Sequence, residues 1–171
     1  DHFRMGLGGE AFVNIVELRA NGYFAFSPRR QVAENLAWVT YEKAVSGFDL
    51  EAGVPLPYIN WIRCYGGAYR WDYKQSKDKV GWTIRTEVKP LKFGTVNFII
   101  YNDSKQDNAQ FEVDGRISIP FDALYDKKFW RDIVTMNISN IPYPDKVDHS
   151  KRVLNRVERK YTIEVEKWMV N

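Results

Sequence analysis

One cysteine, two histidines and no long apolar run set the first limits on this sequence. With Cys64 alone, neither an intrachain disulfide nor a cysteine metal cluster can form. His2 and His149 are too few for a histidine-based triad or a His-rich metal site. No run approaches the roughly 18 apolar residues of a transmembrane helix, which leaves open a β-barrel, since barrels cross with strands. A block of like charge is also missing. The 25 Lys and Arg interleave with 22 Asp and Glu for a net +3, so no nucleic-acid partner is expected. Asp1 follows no initiating Met or signal peptide, as in a mature product or a piece of a longer chain.

What is present is aromatic and alternating. Aromatics make up 15% of 171 residues, a length that suggests one domain. Trp and Tyr are favoured where one end of a side chain is dry and the other wet. The stretch Gly47–Tyr73 shows the unit that recurs. Phe48, Leu50, Ala52, Val54 and Leu56 share one face of a strand, and Asp49, Glu51 and Gly53 the other. A turn holding Pro55 and Pro57 leads to a second strand, Trp61–Trp71, dense in aromatics and glycine.

The same period runs through the chain. Phe3–Phe12 sets Phe3, Met5, Leu7 and Ala11 against Arg4, Gly6, Gly8 and Glu10. Its GLGG precedes no helix start, so it is not read as a phosphate loop. Val16, Leu18, Ala20 and Phe24 oppose Glu17, Arg19, Asn21 and Tyr23. Ser27–Ser46 breaks the pattern with a charged, helix-compatible insertion. From Val80, Trp82, Ile84, Thr86 and Val88 oppose Thr83, Arg85, Glu87 and Lys89. After a turn at Pro90–Lys92, Val96, Phe98 and Ile100 alternate with Thr95, Asn97 and the exception Ile99. The last such strand, Gln110–Phe121, sets Phe111, Val113, Ile117 and Ile119 against Glu112, Asp114, Arg116 and Ser118.

That makes seven strands, joined alternately by short turns and by longer polar loops. Outer-membrane barrels sort their connections in this way, short on one rim and long on the other. A soluble sandwich also alternates apolar and polar residues but has less reason to sort its loops. Mid-strand charges of both signs suit a wet lumen, and they equally suit the solvated face of an antiparallel sheet. Glu112 and Asp114 could form a catalytic carboxylate pair, yet no other site feature accompanies them. No enzyme activity and no cofactor are expected.

Several segments, in their order and spacing, carry a resemblance. They are FRMGLGGEAF with VELRANGYFAFS, EKAVSGFDLEAGVPLP, RCYGGAYRWD, strands ending in KPL and YND, DNAQFEVDGRISIPF, and VLNRVERKYTIEVE. Together they resemble the β-domain of inverse autotransporters, the intimin and invasin family, over about Phe3–Phe121 and again near the C-terminus. The resemblance implies an outer-membrane barrel of a Gram-negative bacterium with about twelve strands. Its linker re-enters the pore and carries a passenger outward. The seven strands here would then be its later part. An odd number cannot close an antiparallel barrel, so missing N-terminal strands or another chain would complete the wall. No immunoglobulin-like passenger follows, and Asp122–Ser150 is longer than a simple joint.

The expected fold is therefore all-β: a partial antiparallel transmembrane β-barrel over 1–121, then a helical and extended tail over 122–171. A helix is expected within Asp122–Thr135 and an eighth strand, outside the barrel, over Tyr161–Trp168. Lumen-facing candidates are Glu17, Arg19, Asp49, Glu51, Arg85, Glu87, Glu112, Asp114 and Arg116. Lipid-facing candidates are Val16, Leu18, Phe24, Phe48, Leu50, Trp82, Ile84, Val96, Phe98, Phe111, Val113 and Ile117. The aromatics of Gly47–Tyr73 are candidates for an interfacial girdle. Partners would be outer-membrane lipid, the strands that complete the wall, and the barrel-assembly machinery. The expected role is an anchor and translocator that holds or displays a surface segment. The alternatives are a porin-like channel and a soluble β-sheet module binding carbohydrate or protein through exposed Trp61, Tyr65, Tyr69 and Trp71.

Overall fold

Among the described residues, Asn14 and Tyr58 are the two non-glycine positions with positive φ, 55° and 64°, and each sits in a two-residue turn. Asn tolerates the left-handed region because its short amide bonds locally. At Pro57–Tyr58 the proline fixes the first turn position and the positive φ follows, as a type II turn requires. The structure is a computed structural model and describes residues 2–34, 38–119, 125, 127–131, 133–143 and 163–170.

Seven strands form one antiparallel sheet. In spatial order they are β1 (Arg4–Val13), β2 (Val16–Ala25), β5 (Ser46–Leu56), β6 (Ile59–Asp72), β7 (Lys79–Leu91), β8 (Gly94–Asp103) and β9 (Gln110–Ile117). Turns at 14–15, 57–58 and 92–93 form a short-turn rim, and residues 26–45, 73–78 and 104–109 form a long-loop rim. A second sheet at the long-loop rim comprises β3 (Arg30–Glu34), β4 (Val39–Ala44) and β10 (Val165–Val170), in the order β10-β4-β3. His2 ties β1 to this sheet, its Nε2 lying 2.7 Å from Glu42 Oε1. A helix of five residues, α1, spans Lys127–Arg131.

Four expectations need correction. The helix-compatible insertion at Ser27–Ser46 contains β3 and β4, because β10 pairs with β4 and Trp168 stacks on Tyr41 at 5.9 Å. A partner more than a hundred residues away overrides the local preference. The turn after β7 is Lys92–Phe93, and Pro90 lies inside the strand at a register irregularity, where a missing N–H is tolerated. The last strand stops at Ile117, short of Phe121, which lies outside the described residues. The helix covers only part of Asp122–Thr135, and Val134 instead bridges Leu91. The eighth strand is present as Val165–Val170, with Tyr161 and Thr162 outside the described residues.

The sheet has two unlike faces. Odd-numbered residues of β2, β5, β6, β7 and β8 carry the charges and are largely buried, although no second sheet among the described residues covers them. A single sheet buries one face only by curling toward it. Large rings lie flat against this inner face by resting on glycine. Tyr65 pairs with Gly53, Trp71 with Gly47 and Tyr69 with Gly81. A Cβ at Gly53 would stand 2.1 Å from the Tyr65 ring, and one at Gly47 would stand 2.5 Å from Trp71. Gly53→Ala should therefore cost about 1–3 kcal/mol by overpacking. Gly66→Ala, on the outer face with nothing within 4 Å, should stay within about 0.5 kcal/mol. The urea concentration at which the compact band disappears from unheated gels measures both.

Candidate functional site

The inner face is held by a continuous polar belt. On β2, Arg19 Nε stands 2.9 Å from Glu10 Oε1 of β1, and Nη1 stands 3.4 Å from Glu51 Oε2 of β5. Arg85 of β7 reaches across β6 to the same carboxylate, with Nη2–Oε2 2.6 Å and Nε–Oε1 3.0 Å. That reach is open because Glu51 faces Gly67, which has no side chain. Arg85 Nη1 donates to Asn97 Oδ1 on β8 at 3.2 Å, and Asn97 Nδ2 donates to Asp114 Oδ2 on β9 at 3.1 Å. The belt thus runs Glu10, Arg19, Glu51, Arg85, Asn97, Asp114 across the sheet.

Tyr65 sits beneath it, with the guanidiniums of Arg85 and Arg19 at 3.9 and 5.0 Å from its ring centroid. Its hydroxyl donates to Glu17 Oε2 at 3.2 Å, and Arg63 Nη1 stands 3.3 Å from the same oxygen. Glu17 also pairs with Arg19 and is 1% exposed. A buried carboxylate needs this much company, because an uncompensated charge there is expensive.

At the long-loop rim a second cluster gathers. Tyr69 donates to Asp103 at 3.1 Å, and Lys79 Nζ stands 3.5 Å from Asp103 and 2.8 Å from Glu164. Tyr73 donates to Glu164 at 2.9 Å. Burial first, and that bond second, push the Tyr73 phenol above its ordinary value. Glu42 of β4 is held below the usual carboxylate range, by its bond from Lys167 and then by that from His2. The short-turn rim is tied differently. Lys92 N donates to Ile133 O at 2.9 Å, Ser139 N to Tyr58 O at 2.8 Å, and Tyr58 N to Pro142 O at 3.0 Å. Trp61 Nε1 donates to Asn137 O at 3.2 Å.

Of the charged candidates, Glu17, Arg19, Arg85 and Glu87 are buried on the inner face, and Asp49, Glu51, Asp114 and Arg116 are half-buried there. Glu112 shares the face but is exposed, since β9 is an edge strand. The outer face carries Leu18, Phe24, Phe48, Leu50, Trp82, Ile84, Phe98, Phe111, Val113 and Ile117 exposed, with Val16 and Val96 half-buried. Glu10 and Asn97 of the belt, and Arg63 and Tyr65 beneath it, are not among the lumen-facing sequence candidates. Odd-number parity on β6 was the available signal for Arg63 and Tyr65. Tyr65, Tyr69 and Trp71 are 2%, 3% and 1% exposed on the inner face. For these three rings this corrects both the girdle reading and binding by a soluble module, whereas Phe48 of the same stretch does face outward. Outward aromatics near the long-loop ends of their strands are Phe24, Phe48, Trp82 and Phe111, while Phe98 faces outward at mid-strand on β8.

Among the described residues, no group of three His, Cys, Asp or Glu could hold a metal ion, and no helix is long and apolar enough to cross a membrane. Glu17→Ala should cost about 3 kcal/mol, because Arg63 and Arg19 lose a buried partner. Glu112→Gln should change stability by about 0.5 kcal/mol or less. Denaturant midpoints of the two variants check the difference.

No curated protein matches the chain. A solved chain described under "Unveiling the Mechanism Behind the in-meso Crystallization of Membrane Proteins" is similar in fold. The TM-score is 0.72 at 16% identity, over 96% of this chain and 67% of that one. The family model for the inverse autotransporter β-domain matches residues 1–145, most of the 171. With its alternating rims, outward apolar face and charged inner face, this chain belongs to the inverse autotransporter β-domain family, an outer-membrane β-barrel family.

Proposed function

We propose that the chain is a wall segment of an outer-membrane barrel that anchors its own C-terminal segment and displays it at the cell surface. The observation that carries this reading is the path of the tail. Residues 133–143 bond to the short-turn rim, whereas residues 164–166 bond to the long-loop rim. The described residues on either side of 144–162 therefore sit at opposite rims. A strand of ten residues is roughly 33 Å long, and the twenty steps available span at most about 70 Å.

In this reading the polar belt lines a wet lumen, and Leu18, Leu50, Ile84 and their neighbours face lipid. The stretch Phe48–Leu56 of β5 is about 26 Å long at ~3.3 Å per residue, comparable with the apolar band of outer-membrane barrels before tilt. Exposed Phe24, Phe48, Trp82 and Phe111 form the aromatic girdle on the loop side. Further strands, from preceding sequence or from another chain, close the wall between β9 and β1, because an open edge in lipid is costly. No catalysis is assigned to the belt, whose charges neutralise one another and hold the sheet in shape. The work is mechanical: holding and carrying chain.

An epitope placed after Asn171 should be reached by protease on whole cells, while the protein shows heat-modifiable migration in membrane fractions. An epitope reached only after permeabilisation would contradict display. Steady open-channel currents from the intact protein in planar bilayers would favour a porin instead.

A further inference from the structure

The geometry points to Glu164 and Glu166 as a latch that fixes the register at which the C-terminal strand is held at the long-loop mouth. The inference rests on the display reading but uses observations of its own. Glu166 is 4% exposed, although it lies on a six-residue strand at the edge of a small sheet. Its carboxylate accepts from the backbone N–H of Lys74 and of Gln75, both at 2.8 Å, and from Ser76 Oγ at 3.1 Å. Two successive amides and a hydroxyl converging on one carboxylate form a small anion nest. Glu164 lies two residues back, at the same mouth. It receives the Tyr73 hydroxyl and the Lys79 ammonium, and its carbonyl accepts from Val45 N at 3.0 Å.

These contacts are specific to register. The six β10–β4 pairs are backbone bonds that a slipped strand could remake one step along, with each side chain moved to the opposite face. The nest cannot be remade that way, because residues adjacent to Glu166 are Val165 and Lys167, neither an acceptor. A slip by two one way places Glu164 at the nest and strands Lys79 and Tyr73. The other way gives Lys79 and Tyr73 Glu166 but puts Trp168 at the nest, so either slip leaves one site without its carboxylate. The loop gains order in the same act. Lys105 Nζ meets Ser76 Oγ at 2.8 Å and lies over the Tyr73 ring at 4.1 Å, so the loops after β6 and β8 are drawn onto β10. Chain moving outward through the mouth would stop where both carboxylates find their donors.

The test uses the full-length protein in outer-membrane preparations. In a Cys64→Ser background, Thr40→Cys and Met169→Cys occupy paired positions of β4 and β10 and report the register by oxidation. Glu164→Gln with Glu166→Gln should lower cross-link yield at least about twofold. Backbone amides of residues 74 and 75 should then exchange about tenfold faster. Yields are read only in the folded band of unheated gels. Tyr73→Phe with Ser76→Ala gives the smaller loss expected from the loop side, and serves if the first variant does not fold. Unchanged yield and exchange in folded variants overturn the latch. The epitope after Asn171 separates the two ideas: display with an insensitive cross-link sinks the latch alone, and absence of display sinks the reading beneath it.

Discussion

A one-layer sheet with an apolar outer face has to satisfy its polar face from within. Among the described residues no second sheet is stacked on the inner side of β1, β2 and β5–β9, yet Glu17, Arg19, Arg63, Arg85 and Glu87 are buried there. The belt from Glu10 to Asp114 meets that demand by pairing every strand through its neighbour, or across it where Gly67 leaves room. Buried ion pairs add little over a well-packed apolar core, but losing one partner is costly. The belt therefore acts mainly as a constraint. It fixes which residues face inward, and with them the register of the whole sheet.

Glycine and aromatic placement follow from the same demand. Rings as large as Trp71 and Tyr65 would fill the inner space if they stood upright, and they lie flat because the residue across the ladder is Gly47 or Gly53. Tyr65 then stacks against two guanidiniums while its hydroxyl reaches Glu17. One glycine position thus supports both packing and electrostatics. The tail completes the frame by bonding to turns at one rim and loops at the other.

Much of this was legible in the sequence, and for a physical reason. Where a strand has apolar residues on one parity and charges on the other, as in Val16–Phe24 or Trp82–Val88, alternation names both the strand and its faces. Trp61–Trp71 defeats that reading, since Tyr, Trp and Gly carry no clear polarity, so Arg63 is not assigned a face and Tyr65 reads as an outward ring. The insertion before β5 was misread because β4 owes its extended form to Trp168 and its neighbours, far along the chain. Glu164 and Glu166 look like ordinary solvated charges until the loop at 73–76 is seen to fold over them. Local pattern encodes elements and faces, whereas contacts between distant segments are set by how the whole sheet folds.

The central claim is that one sheet face meets lipid and the other meets water. Spin labels placed singly along β5, from Phe48 to Val54 in the membrane-embedded protein, test it directly through collisions with oxygen and with a water-soluble relaxant. The account predicts a period of two, with oxygen accessibility peaking at residues 48, 50, 52 and 54 and water-side accessibility at 49, 51 and 53. Uniform water accessibility along the strand, or peaks of the opposite parity, would contradict it.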